Sequence, residues 1–470
     1  PEDPSEAVIT GINRISKTLS KNDNLQKQSD DQSLIAVIHG STVATNALLE
    51  RKGATTALIT TKGFKDVIQI GRQNRPDLYD FATNLPKPLV PSELRFELTE
   101  RVEQYGITTE TLNHDDVDKL VSNIKLIEPE LQSIAVCFLF SFANPNHEQL
   151  VAEKLRNAGF FVSASHEILP EYREYERTST TVVNAYVSPV LDRYLKKLET
   201  SVNYQITNNA PATISNLQIM QSNGGSISVT EARKAGVRCI LSGPAGGVVG
   251  CQYIGSRALN NVDNSGLRLL TFDMGGTSTD VSLIDGHPNV TSEAEVGGLP
   301  IRRPVLDIHT IGAGGGSIAT IDAGGALRVG PESAGADPGP ACYGRSITRR
   351  EPKFTKEFPS SSNSPHATVT DANLLLGRIP SDRFLGGEML LYPELAEAAI
   401  SPLAAQLGLS TMETALGIIE IANAHMERAL RVISVERGHD PRQFTLLSFG
   451  GAGSLHAADL ARRLHIPRVL

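Results

Sequence analysis

The sequence predicts an α/β protein. Three observations carry that expectation. Strands and helices alternate from residue 34 to residue 164. Residues 267–285, LRLLTFDMGGTSTDVSLID, read as an apolar strand, a diglycine break and an alternating strand. Residues 444–464 read as strand, glycine-rich turn and helix.

The elements follow in order. Residues 5–19 place Val8, Ile9, Ile12, Ile15 and Leu19 on one helical stripe, and the polar stretch 21–31 reads as a loop. A buried strand is expected at 34–38. His39, Gly40, Ser41 and Thr42 follow, then a helix over 42–51. A strand, a small-residue turn and a helix N-terminus can together receive an anion, although His39 by position reads as a structural histidine. Strands are expected at 55–60, 98–104, 133–140 and 160–164, with helices at 64–70, 115–127 and 144–158. Residues 71–81, GRQNRPDLYDF, read as a surface loop able to touch substrate through Arg72, Arg75, Asp77 or Tyr79. A long helix over 171–202, with Pro189 as kink or restart, is expected to link two domains, 1–200 and 201–470.

In the second half, a strand is expected at 217–221, a short helix at 229–235 and a small-residue turn opening a close-packed helix at 242–256. Residues 305–317 read as a strand running into a glycine loop, and 330–344 as a rigid Pro/Gly loop. The Ser/Pro-rich stretch 353–366 reads as a mobile insertion. The longest helix is expected over 410–438, capped by Ser410 with Glu413 and ended by Gly438.

Composition narrows the function. A length of 470 residues suffices for about two to four domains. The formal net charge of −8 offers no electrostatic support for nucleic-acid binding. No apolar run is long enough for a transmembrane helix, and the first residues lack the basic and apolar regions of a signal peptide. Cys137, Cys239, Cys251 and Cys342 form no CxxC pair, which argues against zinc or disulfides and fits a reducing cytosol. Cys342 is a poor nucleophile candidate, since nothing local would depress its pKa.

The chemistry concentrates in the glycine clusters. At the 275–276 turn, two glycines let several N–H groups converge on one anion. Thr277 and Thr279 add hydroxyls. Asp273 and Asp280 supply two carboxylates that can hold Mg²⁺ with its phosphates through water. A P-loop is excluded, because neither its lysine nor its helix is present, and a Rossmann turn would also require a helix. Asp307 and His309 stand two residues apart beside the Gly314–Gly315 loop. They fit a site for metal or acid–base chemistry, or a hydrogen-bonded structural pair. Gly450, Gly451 and Gly453 can seat a base or ribose against bare backbone.

Several motifs together resemble the hydantoinase A/oxoprolinase family. They are HGSTVATNALLERKG, EYERTSTTVVNAYVSP, LSGPAGGVVG, DMGGTSTDVS, DIHTIGAGGGS, GPESAGADPGPACYG, TDANLLLGR and SFGGAGSLHA. The resemblance implies an actin-like ATPase fold of duplicated βββαβα domains, shared with acetate and sugar kinases. It implies ATP and Mg²⁺ as cofactors, and ring opening of a cyclic amide such as a hydantoin or 5-oxoproline through a phosphorylated oxygen. It implies a cytoplasmic enzyme with a B-type partner subunit, and leaves open self-assembly. No nucleic-acid or membrane partner is expected. Carried over by position, Asp273, Gly275, Gly276, Thr277 and Asp280 match one phosphate hairpin, and Gly450, Gly451 and Gly453 match the adenosine turn. Asp273 and Asp280 would orient Mg²⁺ and water, with Asp307 and His309 near the transferred group or a metal. The family's first DxGGTxTD hairpin would precede Pro1, and family members continue beyond Leu470, so a fold truncated at both ends is expected. Two alternatives are a subunit of an ATP-dependent ketone carboxylase and a non-catalytic nucleotide-binding remnant.

Overall fold

The computed structural model describes residues 4–20, 34–73, 87–128, 130–207, 213–260, 266–345 and 366–470. The expected loop at 21–31, most of the loop at 71–81 with Arg75, Asp77 and Tyr79, and the stretch 353–365 lie outside the described residues. The chain forms two compact units. One comprises Pro1–Gly246 and Val290–Leu306, the other Gly247–Asn289 and Asp307–Leu470. This division does not fall at residue 200. The long helix runs unbroken through that position, and the strand after it pairs back onto the first strand of the chain.

The first unit opens with α1 (Pro4–Ser20), β1 (Leu34–His39), α2 (Val43–Leu49) and β2 (Thr56–Thr61). Then come β3 (Arg95–Leu98), α3 (His114–Ile127), β4 (Ser133–Cys137), α4 (Asn146–Asn157) and β5 (Phe161–Ala164). The long helix α5 (Glu174–Thr207), β6 (Thr213–Met220) and β7 (Ser226–Ser228) follow. Strands β3, β2, β4 and β5 make a parallel four-stranded sheet in that order. All six residues of β2 are buried, as both faces of such a sheet are covered by helices. Strands β1, β6 and β7 make a second sheet. The first half of α5 buries Val182 and Ala185 in the core of the larger sheet. Its second half buries Leu191, Leu195 and Leu198 with Ile219 of β6. Pro189 sits inside α5 without ending it.

The helix α6 (Ser242–Ala258) begins in the first unit and passes into the second at Gly247, where β8 (Arg268–Met274), β9 (Thr279–Asp285) and β10 (His287–Pro288) follow. Next are β11 (Ile308–Ile311), β12 (Ser317–Ile321), β13 (Leu327–Ser333), α7 (Val369–Leu375), α8 (Pro393–Leu407) and α9 (Thr411–Ile433). The chain closes with β14 (Thr445–Phe449), α10 (Gly453–Arg463) and β15 (Arg468–Val469). The main sheet runs β10–β9–β8–β14–β15, with β11 paired to β9. Three antiparallel strands, then, after the inserted β11–β13, α7 and α8, the helix α9, parallel β14 and α10 follow the βββαβα order that the resemblance implies for an actin-like ATPase unit.

Helix α9 positions this sheet. Ser410 caps it in a capping box with Glu413, as the sequence predicts. Its apolar stripe, including Ile418, Ala422, Met426 and Leu430, packs on Leu270, Phe272, Val281 and Leu283. The helix stops at Ile433, and a short 3-10 turn at Val435–Arg437 leads to Gly438 in the left-handed region at φ 82°. Two further expectations are revised. The strand expected to run from 305 into the glycine loop is broken at Asp307, and the Pro/Gly stretch from Gly330 to Ser333 continues β13, which pairs irregularly with β12. That pairing tolerates a proline because a two-stranded ribbon leaves one strand edge open. No helix among the described residues is long and apolar enough to cross a membrane, and all four cysteines are buried and free.

Candidate functional site

The site is built in the second unit from three glycine-rich segments. The first is the β8–β9 hairpin. Its strands pair in register, so Asp273 stands directly opposite Asp280. Facing residues in an antiparallel pair project from the same side of the sheet. The link is closed by Gly275 N–H donating to Ser278 O at 3.0 Å, and the tip residues Gly276 and Thr277 are exposed. Both carboxyls are pushed above the ordinary carboxylate range, Asp273 by burial and by the charge of Asp280, and Asp280 by burial. Thr310 of β11 hydrogen-bonds Asp280 Oδ1 and partly offsets that effect.

The second segment is the turn after β14. Parallel pairing sets Phe449 beside Asp273, and the chain then passes over the end of β8. Gly450 has φ +82°, and a Cβ there would collide with Asp273 Oδ1, so only glycine lets the turn sit against that carboxylate. Ala452 N–H donates to Met274 O at 3.0 Å. Gly450 and Gly451 are exposed, whereas Gly453 is buried at the start of α10. His456 of α10 fixes that helix, with Nδ1 2.7 Å from Asn423 Oδ1 and Nε2 3.3 Å from Asn373 Nδ2. Burial lowers its pKa to about 4, so it is neutral at pH 7 and serves packing.

The third segment, Gly314–Gly316, is used differently from the sequence expectation. Gly314 and Gly315 are buried. Gly314 N–H donates to Ser317 Oγ, Gly315 N–H to Gly275 O at 3.0 Å and Gly316 N–H to Gly276 O at 2.6 Å. These donors are spent inside the protein and do not point at a ligand. Thr279 follows suit: its hydroxyl is buried and donates to Ala313 O at 2.5 Å. Thr370 anchors the same loop, with both N–H and Oγ1 2.8 Å from Gly315 O.

Asp307 and His309 are not brought to the carboxylate pair. Asp307 lies between strands and forms a two-pronged ion pair with Arg437, one prong being Nη2 to Oδ1 at 3.2 Å. His309 stands opposite the fully buried Val281, so it projects from the sheet face opposite to Asp280 and Thr310. Sequence spacing placed Asp307 and His309 on one strand face; the break at Asp307 removes that constraint. Thr310, Thr370, Arg437 and His456 escaped sequence reasoning. Their partners lie far along the chain, and nothing local marks them. Among the described residues no group of three or more His, Cys, Asp or Glu side chains could hold a metal ion. Asp273 and Asp280 remain a two-carboxylate set, which suits a cation that keeps most of its water and phosphate ligands.

Comparison with known proteins identifies the family. The hydantoinase/oxoprolinase family model matches residues 177–470, and the hydantoinase/oxoprolinase N-terminal region matches residues 1–159. An uncharacterized protein of Methanocaldococcus jannaschii is 42% identical over 452 residues, covering 92% of this chain and 62% of that protein. Caprolactamase subunit alpha of Pseudomonas jessenii is 36% identical over 437 residues, covering 91% of this chain and 58% of the subunit. The 5-oxoprolinase of Dictyostelium discoideum is 34% identical over 517 residues, covering all of this chain but 38% of that protein. This chain therefore spans less than two thirds of each relative. Among solved structures, the ATP-dependent caprolactamase from Pseudomonas jessenii superposes with a TM-score of 0.77 at 34% identity, over 100% of this chain and 64% of that one. Nucleotide-free acetone carboxylase gives 0.74 at 27% identity, over 92% and 59%. With its family signature running through both sheet systems, this chain belongs to the hydantoinase/oxoprolinase family.

Proposed function

We propose that this chain is the ATP-using part of a cyclic-amide hydrolase that opens a hydantoin, a lactam or 5-oxoproline. The observation that carries the reading is the facing pair Asp273 and Asp280 at a hairpin whose exposed tip is the backbone of Gly276 and Thr277, with the Gly450 turn against Asp273. Two half-buried carboxylates with raised pKa values, Asp273 by burial and the charge of Asp280 and Asp280 by burial, form a site that a cation would relieve. Asp273 and Asp280 would hold Mg²⁺ through water, and the bound ion would supply charge shielding for the phosphates. The N–H groups of Gly276 and Thr277 would orient a phosphate, and Gly450 and Gly451 would lie along the adenosine. An unstrained amide is a poor electrophile. Transfer of the terminal phosphoryl group of ATP to its oxygen, with ADP leaving, would give an imidate phosphate. Water adding at that carbon would let the ring C–N bond break with the nitrogen leaving as the amine, and the acyl phosphate left behind would release inorganic phosphate on hydrolysis. The buried Gly314–Gly316 loop would keep the hairpin rigid, and so contribute by preorganisation.

A B-type partner subunit and a cytoplasmic setting belong to the same proposal; the relative named caprolactamase subunit alpha supports a multi-subunit assembly. A ketone carboxylase subunit is the second reading, favoured by the likeness to acetone carboxylase. The deciding experiment measures phosphate release from Mg-ATP by the chain, alone and with a B-type subunit, against hydantoin, caprolactam, 5-oxoproline and acetone with labelled bicarbonate. Amide-stimulated turnover that falls at least about a hundredfold in Asp273→Asn is expected. Label incorporation with acetone would transfer the proposal to the carboxylase, and absence of Mg-ATP binding would remove both.

A further inference from the structure

A cavity of about 660 Å³ lies on the other face of the same sheet edge from the aspartates. Its floor is apolar: Ile311 of β11, Leu327 and Val329 of β13, and Ile421 and Val432 of α9. Its polar lining is basic. His309 stands on one wall, and His425 and Arg428 on the other, one helical turn apart on α9 and both exposed. Arg328 also lines it, but its charge is met by Asp322, Nε to Oδ2 at 2.6 Å. None of the lining residues is an aspartate or glutamate. Among the described residues, His309, His425 and Arg428 make no hydrogen bond or ion pair. The volume falls within the ~300–1,000 Å³ of small-molecule sites, and an apolar floor with a few convergent polar groups is their usual lining.

We propose that this groove binds a small organic acid, an aliphatic carboxylate whose chain lies on Ile311, Leu327 and Val329 and whose head is held by Arg428. A planar guanidinium fork matches a carboxylate in two parallel hydrogen bonds, and the two imidazoles flank the same mouth as further donors. The alternation of the strand separates this site from the carboxylate pair, because His309 and Asp280 leave opposite faces. The proposal gives His309 a role independent of phosphate chemistry and stands whether or not the hairpin grips ATP.

The test is calorimetric titration of the full chain with octanoate, octanol and acetate as probes. Octanoate is expected to bind saturably, with octanol and acetate at least tenfold weaker, since each lacks one half of the recognition. Arg428→Gln is expected to weaken octanoate tenfold or more with an unchanged melting temperature, because the side chain is exposed and unpartnered. Should that variant fold poorly, His425→Gln reads the same mouth and is expected to weaken binding by a smaller factor. Asp273→Asn should leave octanoate affinity unchanged. Absence of saturable octanoate binding, equal binding of octanol, or an equal loss in Asp273→Asn would each overturn the assignment.

Discussion

Two glycine clusters of the second unit look alike in sequence and do opposite work. Gly275–Gly276 ends a hairpin with its tip in the open, and a Cβ added at Gly276 would meet nothing within 4 Å. Gly314–Gly316 is buried against that tip, and a Cβ at Gly314 would lie 2.7 Å from Gly276 and Thr277 backbone atoms. At the first place the N–H of Gly276 stays accessible, while that of Gly275 closes the turn on Ser278 O. At the second, glycine lets two backbone segments approach more closely than any side chain allows. The comparison teaches that a glycine-rich loop is not evidence of a ligand until its N–H groups are shown to be unspent.

The largest effect should come from breaking the buried cluster. Gly314→Ala forces a methyl into backbone atoms that cannot rotate away. We expect a loss of about 2–3 kcal/mol in urea unfolding, the upper range for overpacking, with the hairpin displaced. A variant as stable as the parent would mean that the loop is free to open. Next comes Thr279→Val, which keeps the shape but leaves the buried Ala313 carbonyl without its donor. A cost of about 1–3 kcal/mol is expected, restored in large part by Thr279→Ser. Equal stability of the valine and serine variants would dismiss the hydrogen bond as a support.

The aspartate pair gives a smaller effect of opposite sign. Both folded-state pKa values are raised, so between the unfolded and folded values the native state binds more protons, and stability rises as pH falls through that window. At pH 7 the ionised pair therefore works against the fold. Asp273→Asn should melt slightly higher than the parent at pH 7 in nucleotide-free buffer. That advantage should shrink as pH drops through the folded value towards the unfolded one. Adding Mg-ADP should reverse the order, stabilising the parent and not the variant. A variant that melts lower at pH 7, or that gains equally from Mg-ADP, would contradict the cation-site reading.

Much of this was legible in advance where the signal is local. The hairpin at Asp273–Asp280, the capping box at Ser410–Glu413 and the strand–turn–helix around Gly450 each follow from short-range pattern. The helix end was less legible, because Ser434 turns the chain before the expected glycine stop at Gly438. What failed was inference from spacing across an unseen break: Asp307 and His309 share a face only if the strand is continuous there. The fate of Thr279 and Gly315 was invisible for another reason. Their partners, Ala313, Gly275 and Thr370, are set by tertiary packing. Strand pairing between β8 and β14, 176 positions apart at Leu269 and Thr445, is likewise what brings Gly450 to Asp273.

The smallest stability effect should fall on the exposed cluster, and it sharpens the comparison most. Gly276→Ala adds a methyl to open space, and no positive φ is imposed at that residue. Its unfolding midpoint should match the parent within about 0.5 kcal/mol, as for ordinary surface changes. If the tip only closes a hairpin, Mg-ATP binding should also be untouched. If its backbone meets a phosphate, the added methyl stands where the ligand must approach, and affinity should fall several-fold at unchanged stability. Thr277→Ala, which removes a hydroxyl and leaves the backbone alone, should fall less. A loss confined to Gly276→Ala would therefore assign recognition to bare backbone, whereas equal retention by both variants would leave the hairpin without a phosphate role.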